Sequence, residues 1–251
     1  MAGIAYLKGE ASFIGKINSD EFGKIYKESL EKIKVNFAYS EKSEDLSTGA
    51  SIILITPDSE RTMCTYLGIS SQLSKEDIKE DYIKGHEIIL LEGYLWDKGI
   101  SEEMFKHVIN LAKKNNIRIA MSLSDIFCVK RHRKDFFNLL LNDINILIGN
   151  ENEINELMQK KNLLDCINEL KKINKLIIIT RSANGSIALL NNEITNCDSS
   201  KVEKVLDLTG AGDLFASGFL KEYLDQSNIK KCLQSGSELA AKVIQKIGAR
   251  L

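Results

Sequence analysis

The sequence predicts an α/β fold in which helices flank a mostly parallel sheet, with a small second sheet projecting from the main body. Short, wholly apolar runs alternate with helical patterns from residue 87 onward, and runs without polar alternation are typical of strands covered on both faces. Further predicted strands cluster between helical regions at about residues 35–67, which indicates the small sheet. A chain of 251 residues can bury a full core, and its length is typical of one domain or two small ones.

The first part of the chain is predicted to contain two helices and the strands of the small sheet. The second helix opens at Ser19-Asp20-Glu21, and its apolar residues recur on one face, the pattern of an amphipathic helix. Those residues are Phe22, Ile25, Tyr26, Leu30 and Ile33. The predicted elements are helices over residues 1–8 and 19–33 and strands over residues 11–17, 35–39, 50–56 and 61–66, the last two joined by a turn at Pro57-Asp58-Ser59.

The rest of the chain is predicted to alternate strands with helices, which is the order of a doubly wound parallel sheet. Apolar runs predict strands over residues 88–91, 117–121, 144–148 and 176–180. Helical spacing predicts helices over residues 101–114, about 133–141, from 151 onward, over 163–173, from 213 onward and over about 229–246. A hairpin is predicted over residues 186–190 and 193–196 across Asn191-Asn192.

Composition and charge argue against several classes of protein. The formal net charge is −1 with both signs well mixed, which argues against a surface that binds nucleic acid or a membrane. No apolar run approaches the roughly 18 residues of a membrane-spanning helix, and the start lacks a signal-peptide pattern, so we expect a cytoplasmic protein. The five cysteines form no C-x-x-C pair, which indicates neither a disulfide framework nor a metal site, and we expect each to be buried or half-buried.

The segment Asp207-Leu208-Thr209-Gly210-Ala211-Gly212-Asp213 carries the strongest functional signal. Its glycines let the backbone approach a ligand, and a turn that opens into a helix N-terminus presents amides to a phosphate. A phosphate repels a carboxylate, so Asp213 fits if it takes a proton from an attacking hydroxyl while the amides stabilise the transferring phosphoryl group. The alternative is that Asp213 merely caps its helix.

Two better-known phosphate loops do not fit this segment. A Walker A loop needs a Lys-Ser or Lys-Thr pair after its glycines, and none follows here. A dinucleotide-binding fingerprint needs a third small residue at the position that Phe215 occupies.

Polar residues that follow the apolar runs are further candidates, because ligands of open parallel sheets collect beyond the carboxyl ends of the strands. They are Glu92, Ser122-Leu123-Ser124-Asp125, residues 150–153, Thr180-Arg181 and residues 207–213. Glu153 could hold a water on Mg²⁺ with Asn150 near nucleotide phosphates, or the glutamates of this turn could simply favour the helix macrodipole. The turn from Thr180 to Gly185 suits a nucleotide phosphate, although a simple turn explains it nearly as well.

The order of these motifs, from Asn150-x-x-Glu153 through the turn at Thr180 to the Asp213 segment, resembles that of the ribokinase or PfkB family of ATP-dependent sugar and nucleoside kinases. Further matches are Phe13-Ile14-Gly15-Lys16-Ile17, Asp20-Glu21-Phe22-Gly23, Thr48-Gly49 and Glu60-Arg61-Thr62-Met63. Features that resemble a bacterial adenosine-kinase-like branch are Thr56-Pro57-Asp58, residues 91–97, Ser122-Leu123-Ser124-Asp125, Cys128 with Arg131-His132-Arg133, and Ile247-Gly248-Ala249-Arg250. The resemblance covers essentially the whole chain.

The resemblance implies a Rossmann-like, ribokinase-like core with a small β lid at about residues 35–67, in a single domain over residues 1–251. It implies an enzyme that transfers the γ-phosphoryl group of ATP to a hydroxymethyl group. Asp213 would be the base that activates the substrate hydroxyl, and the amides of Gly210, Ala211 and Gly212 would form the anion hole.

The resemblance also implies where the cofactors lie. Asn150 and Glu153 would organise Mg-ATP, with Glu153 reaching Mg²⁺ through water, and Thr180 and Gly185 would lie along the nucleotide. The residues that resemble the family's loop for a monovalent cation, K⁺ here, are Asp207, Thr209 and the backbone around Gly248. Arg61 is expected near the transferring phosphate.

The sequence departs from the family's pattern at its start. Family members carry a strand with a substrate-binding Asp and a Gly-Gly-x-x-x-Asn segment before the helix that begins here at Met1, so we expect part of the substrate half to be missing. The favoured acceptor is adenosine or a related ribosyl compound. The alternatives are ribose or another small sugar, and a non-catalytic remnant that binds nucleotide or a partner. The lid is the candidate surface for a homodimer.

Overall fold

The computed structural model describes residues 1–41, 45–97 and 101–251, which form two compact units. The first unit combines Met1–Ile78 with Ser200–Leu251, and the second is Lys79–Ser199. Residues 42–44, which belong to the predicted lid region of residues 35–67, lie outside the described residues.

Helices and strands follow one another in the predicted order. They are α1 (Ala2–Tyr6), β1 (Ser12–Ile17), α2 (Glu21–Lys32), β2 (Asn36–Glu41), β3 (Ala50–Ile55), β4 (Arg61–Tyr66), β5 (Ile88–Glu92), α3 (Ser101–Lys114), β6 (Arg118–Ser122), α4 (Ile126–Asn142), β7 (Ile146–Asn150), α5 (Glu151–Met158), α6 (Leu163–Leu170), β8 (Leu176–Thr180), β9 (Ser186–Leu190), β10 (Glu193–Cys197), α7 (Ala211–Leu224) and α8 (Ile229–Val243). Short 3₁₀ helices, which the sequence did not predict, occupy Gly68–Gln72, Lys75–Asp77, Glu80–Tyr82, Gly93–Asp97 and Ser182–Asn184.

The second unit is built around a six-stranded sheet in the order β10-β9-β8-β7-β6-β5. Strands β5 to β8 are parallel, and β9 and β10 continue the sheet as an antiparallel hairpin. The apolar side chains of β6, β7 and β8 are almost completely buried, as expected for strands covered on both faces. The predicted mostly parallel sheet is therefore confirmed, and its carboxyl edge places Glu92, Asn150 and Thr180 at strand ends.

Helix α4 is kinked at His132 (φ −117°, ψ 20°), and the helix predicted over about residues 133–141 corresponds to its part beyond the kink. The part before the kink, which begins at Ile126, was not predicted. Asp125 caps it by accepting hydrogen bonds from the amides of Phe127 (2.7 Å) and Cys128 (3.2 Å). Its first turn consists of β-branched, aromatic and cysteine residues, which have low helix propensity. Cys128 and Val129 are nevertheless fully buried, so tertiary packing outweighs local propensity in this part of the helix, which the sequence did not predict.

Two separate two-stranded sheets lie in the first unit, counted over its described residues 1–41, 45–78 and 200–251. Strands β1 and β2 pair in parallel, with α2 as the crossover, whereas β3 and β4 form an antiparallel hairpin. In the described part of the chain, β2 therefore pairs with β1, and the small sheet predicted near residues 35–67 is divided between two pairings. Nearly every side chain of the β3–β4 hairpin is exposed.

The apolar face of α2 is only partly buried. Leu30 is buried, and the ring of Tyr26 packs edge-on against those of Phe13 and Phe37. Phe22 and Ile25, in contrast, are more than half exposed (58% and 54%). The predicted amphipathic face thus contacts the core only along its C-terminal half.

Helices α7 and α8 pack against each other in the first unit. Their contact contains a buried cluster of Leu214, Leu239 and Val243. Helix α1 lies so close to α7 that a Cβ atom on Gly3 would come within 2.5 Å of the Ser217 Cβ. The N-terminal turn of α7, which carries Asp213, therefore rests on a well-packed helix.

The cysteines match their prediction with one exception. All five are free, Cys128, Cys166 and Cys232 are buried, and Cys197 is half-buried. Cys64 was also expected to be buried or half-buried but is exposed, because it lies on β4, which exposes all its side chains. Among the described residues, no helix is both long and apolar enough to span a membrane.

Candidate active site

The two glycines before Asp213 have different structural roles. Gly210 is the N-cap of α7 in a left-handed conformation (φ +82°), and a Cβ there would come within 2.8 Å of the Ala249 carbonyl oxygen. Gly212 has no neighbouring atom within 4 Å of the position that a Cβ would occupy. Gly210 is therefore needed for the backbone conformation, whereas Gly212 leaves open space beside the first turn of the helix.

Asp213 lies in the first turn of α7 with its side chain exposed. The cap position belongs to Gly210, which has no side chain, and no side-chain hydrogen bond caps this helix. The alternative that Asp213 serves as the helix cap is therefore not what the geometry shows. The amide of Ala211 donates a long hydrogen bond to Leu208 O (3.3 Å), so an anion would compete for that amide.

Two positive charges of the first unit act on Asp213. Although the Asp213 side chain is accessible to solvent, the protein around it removes part of the hydration of its carboxyl and so raises its pKa, while the positive charges of the Met1 amino group and of Arg61 act in the opposite direction. Arg61, at the start of β4, therefore lies close enough to interact with the Asp213 carboxylate. A carboxyl group with a raised pKa is a better proton acceptor than an ordinary aspartate.

Asp207 is nearly inaccessible (1% exposed), and its two carboxylate oxygens have separate partners. One accepts from the Thr209 amide at 2.8 Å and the other from the Gly248 amide at 2.9 Å. Burial alone would raise the pKa of Asp207, but the nearby Thr209 hydroxyl, the two amide hydrogen bonds and the charge of Arg61 outweigh it and hold the pKa below its usual value. The Thr209 hydroxyl is itself buried, and although it lies near this carboxylate it makes no hydrogen bond of standard geometry. A buried carboxylate and a buried hydroxyl oxygen suit a cation with oxygen ligands.

Asn150 and Glu153 form a reciprocal capping box in the second unit. The Glu153 carboxylate accepts from the Asn150 amide (2.9 Å) and side-chain nitrogen (2.6 Å), and the Glu153 amide donates to Asn150 Oδ1 (2.9 Å). Glu153 therefore has a structural role at the start of α5. This agrees in part with the alternative that the glutamates of this turn stabilise the helix. Its carboxylate still has lone pairs that could accept from a metal-bound water.

Burial raises the pKa of Glu153 to about 7, and the nearby carboxylates of Asp125 and Glu92 add to this, against the hydrogen bond from the Asn150 amide. Glu92 in turn accepts from the hydroxyl of Ser124 at 3.0 Å. These are polar residues predicted from the strand ends, and they lie together at the carboxyl edge of the sheet. No cluster of three or more metal-ligating side chains occurs within residues 1–41, 45–97 and 101–251.

The turn after β8 depends on Gly185. Its φ is +78°, and a Cβ there would lie 2.1 Å from the Cys197 carbonyl oxygen. The Arg181 amide donates to Gly185 O (2.8 Å), and the Arg181 side chain pairs with Glu151 (3.3 Å). The turn that contains Arg181 was expected to suit a nucleotide phosphate, but the Glu151 carboxylate already compensates part of the Arg181 charge. Thr180 at the strand end is half-buried.

Two features of the site have no signal in the local sequence. The hydroxyl of Ser59 donates to Val205 O (2.8 Å), which joins the turn of the β3–β4 hairpin to the segment before Asp207. The hydroxyl of Ser186, beside Gly185, is buried with no partner. The first contact joins residues 146 positions apart, and only the folded chain brings them together.

Known proteins that resemble this chain are kinases. The profile of the pfkB family carbohydrate kinases matches residues 1–251. The chain is 26% identical to the 5-dehydro-2-deoxygluconokinase of Listeria innocua over 254 residues, which are 97% of this chain and 78% of that enzyme. It is 33% identical to the crystal structure of adenosine kinase from Sinorhizobium meliloti, with a TM-score of 0.96 over 100% of this chain and 77% of that chain.

A protein of E. coli assigned as a ribokinase II and solved with ATP and Mg²⁺ shares the fold at 18% identity, with a TM-score of 0.89 over 99% of this chain and 81% of that chain. The ribokinase-like fold expected from the motifs is confirmed, and the family match supports a phosphotransferase acting on a sugar or nucleoside. Kinases of this family use ATP with Mg²⁺. The chain belongs to the pfkB family of carbohydrate kinases.

Proposed function

We propose that this protein transfers the γ-phosphoryl group of ATP to a hydroxymethyl group of adenosine or a related nucleoside, with Asp213 as the general base. The observation that carries the proposal is the exposed Asp213 carboxylate, which has a raised pKa and lies in the first turn of a helix beside the open space at Gly212. A carboxylate there opposes phosphate binding unless it accepts the proton of the attacking hydroxyl.

In the transfer step, the substrate oxygen bonds to the γ-phosphorus while the bond to the bridging oxygen of ADP breaks. The hydroxyl proton passes to Asp213. The amides of Gly210, Ala211 and Gly212 stabilise the charge on the transferring group, and Arg61 adds a positive charge on the same side. Positioning and charge stabilisation account for most of the catalysis of such a reaction.

We assign the nucleotide and its metal to residues of the second unit: Asn150 and Glu153 for Mg-ATP, and Thr180 and Gly185 along the nucleotide. The pKa of about 7 at Glu153 leaves this carboxyl partly protonated near neutral pH. A nearby Mg²⁺ favours the ionised form, so metal binding and loss of the Glu153 proton support each other.

We also assign a monovalent cation, K⁺, to the buried oxygens around Asp207. The support is the buried Thr209 hydroxyl, which makes no hydrogen bond of standard geometry and lies beside a carboxylate whose pKa is held low. The backbone at Gly248 (φ +101°) completes this loop, and a Cβ there would meet no other atom.

Identity to relatives does not decide between a nucleoside and a sugar acceptor. The adenosine kinase of Sinorhizobium meliloti and a probable sugar kinase of Rhizobium etli are both 33% identical to this chain. We favour a nucleoside because the segments at residues 56–58, 91–97 and 122–125 resemble the adenosine-kinase-like branch. A small sugar or sugar acid is the second candidate, because the curated relatives at 26% identity are sugar kinases.

We extend the proposal to the architecture. The chain forms a single kinase domain, with the lid at about residues 35–67, and a homodimer forms through that lid. The β3–β4 hairpin exposes apolar side chains that a second copy would cover: Ile52, Leu54, Met63 and Tyr66. A light-scattering mass equal to one chain at micromolar concentration would contradict the dimer.

ADP release in the presence of Mg-ATP tests the function. The acceptors to compare are adenosine, inosine, ribose, fructose 6-phosphate and 5-dehydro-2-deoxygluconate. We expect the highest kcat/KM with adenosine, and turnover only with the sugars would move the assignment to the second candidate. Nucleotide binding without turnover of any acceptor would favour the non-catalytic alternative.

A further inference from the structure

The turn at the tip of the β3–β4 hairpin has a shape fixed by its own hydrogen bonds. The Thr56 amide donates to Glu60 O (2.9 Å), and the Ser59 amide donates to Thr56 O (2.9 Å). The Asp58 carboxylate accepts from the Thr56 hydroxyl and from the Glu60 amide. The tip is therefore a preformed unit rather than a loosely held loop.

Within that tip, Ser59 has a left-handed backbone (φ +67°). Glycine takes this conformation at lower cost than any residue with a Cβ. The backbone conformation therefore does not explain why a serine stands here, and the explanation lies in the contact of its side chain. Its hydroxyl donates to Val205 O at 2.8 Å.

The hydrogen bond joins two segments that each carry a charged group of the site. Arg61 follows Ser59 by two residues, and Asp207 follows Val205 by two residues. The Val205 side is itself anchored, because the amides of Leu206 and Asp207 donate to Ile244 O (2.8 and 3.3 Å). The hairpin side has little packing of its own, since nearly all of its side chains are exposed.

We propose that Ser59 is a positioning residue, which fastens the hairpin tip to residues 205–207 so that Arg61 stays beside Asp213 during phosphoryl transfer. This inference rests on the proposed role of Asp213 as the base. Ser59 itself touches neither substrate nor nucleotide in this account, and it acts through Arg61.

The charges around Asp213 give the proposal a measurable consequence. The groups that face its carboxyl are Arg61 and the Met1 amino group, and both lower its pKa against the effect of desolvation. When the tip is released, Arg61 is no longer held in place and the pKa of Asp213 rises further. The base must be ionised to act, so the acid limb of the kcat profile moves toward higher pH.

Four variants separate the hydrogen bond from backbone strain. Ser59→Ala removes the hydroxyl and keeps the left-handed strain, Ser59→Gly removes both, and Ser59→Asn restores a donor in a residue that tolerates this conformation. Ser51→Ala is the matched control, because it deletes an exposed hydroxyl bonded to Thr65 (2.8 Å) within the same hairpin.

Amide hydrogen exchange gives a readout independent of activity. We expect Ser59→Ala and Ser59→Gly to exchange about five-fold faster than the unsubstituted protein in peptides covering residues 56–61 and 203–207, the effect of one lost hydrogen bond. Ser59→Asn and Ser51→Ala should leave these peptides unchanged. Equal exchange in all four variants would overturn the proposal.

The pH dependence of kcat tests the route through Arg61. Both Ser59→Ala and Ser59→Gly should move the acid limb to higher pH with little change in the KM for ATP, and Ser59→Asn should restore it. In an Arg61→Gln background, Ser59→Ala should cause no additional shift. A further shift in that background would refute the positioning role, and so would a shift in Ser59→Ala that Ser59→Gly does not share. If Asp213→Asn were fully active while hydrogen exchange responded as expected, the proposed base would be wrong and the tip contact would stand.

Discussion

At the scale of single residues, Glu153 combines a structural and a chemical role that oppose each other. Its carboxylate is buried and completes the capping box with Asn150, yet its pKa is raised to about 7 by that burial and by neighbouring carboxylates. A folded-state pKa above the unfolded value means that the folded protein holds its proton more tightly. The ionised form therefore destabilises the fold unless a cation binds nearby.

The first prediction concerns Glu153→Gln. Below the unfolded-state pKa the carboxyl is protonated in both states and contributes nothing unfavourable. As pH rises toward 7 and beyond, the unsubstituted protein loses roughly 3 kcal/mol at this site, the difference between pKa values of 4.5 and about 7. We expect urea unfolding at pH 5 and pH 8 to show this loss in the unsubstituted protein and a much smaller one in Glu153→Gln.

The matched control is Glu193→Gln, which neutralises an exposed glutamate in the same unit. It should leave the difference between the two pH values intact. A pH dependence of unfolding that is the same in Glu153→Gln and in the unsubstituted protein would show that this carboxyl does not titrate as described.

The second prediction contrasts the two glycines before Asp213. Gly210→Ala forces an alanine into a left-handed conformation against the Ala249 carbonyl, and should lower the free energy of unfolding by about 1–2 kcal/mol. Gly212→Ala places its methyl group in open space within a helix, and should raise stability by up to about 1 kcal/mol. That methyl group crowds the amides, so kcat should nevertheless fall about ten-fold or more.

Denaturant titration and steady-state kinetics measure the two effects separately. An active Gly212→Ala variant would indicate that no phosphate approaches this turn. A Gly212→Ala variant less stable than the unsubstituted protein would mean that the space beside Gly212 is filled.

At the scale of helices and strands, the sequence predicted those elements whose packing follows a simple period. The runs at residues 146–148 and 176–179 are strands buried on both faces, as their unbroken apolar character indicates. The start of α4 was missed because burial of Cys128 and Val129 outweighs their low propensity. The exposure of Phe22 and Ile25 could not be predicted either, since periodicity identifies a face and not what covers it.

The third prediction concerns a buried ion pair within the first unit. Lys16 on β1 is 7% exposed, and its ammonium contacts Gln72 O (3.2 Å) and Asp77 Oδ2 (3.4 Å). Replacing one partner of a buried pair leaves the other charge uncompensated. We therefore expect Lys16→Met to lower the free energy of unfolding by about 3 kcal/mol or more.

The same pair offers an internal control. Asp77→Asn in the Lys16→Met background should recover part of that loss, because the unpaired carboxylate is removed while Asn can still accept from Ser74. Additive losses in the double variant would contradict a direct interaction between the two side chains.

At the scale of the whole molecule, motif order in the sequence was enough to predict the family, because the functional residues of each motif lie within a few positions of one another. The Asp213 turn and the capping box at Asn150 are local in this sense. The hydrogen bond between Ser59 and Val205 is not, because it joins residues 146 positions apart. The effect of the Arg61 charge on the pKa of Asp213 and that of the Asp125 charge on the pKa of Glu153 are not local either, because both depend on the folded arrangement.

The most direct test of the account is the turnover of Asp213→Asn with Mg-ATP and adenosine, measured beside its thermal stability. The substitution keeps the shape of the side chain and removes the proton acceptor. We expect kcat to fall by at least about a hundred-fold, while saturating Mg-ATP still raises the melting temperature as in the unsubstituted protein. Asp213→Asn turning over at the unsubstituted rate would contradict the assignment of Asp213 as the base.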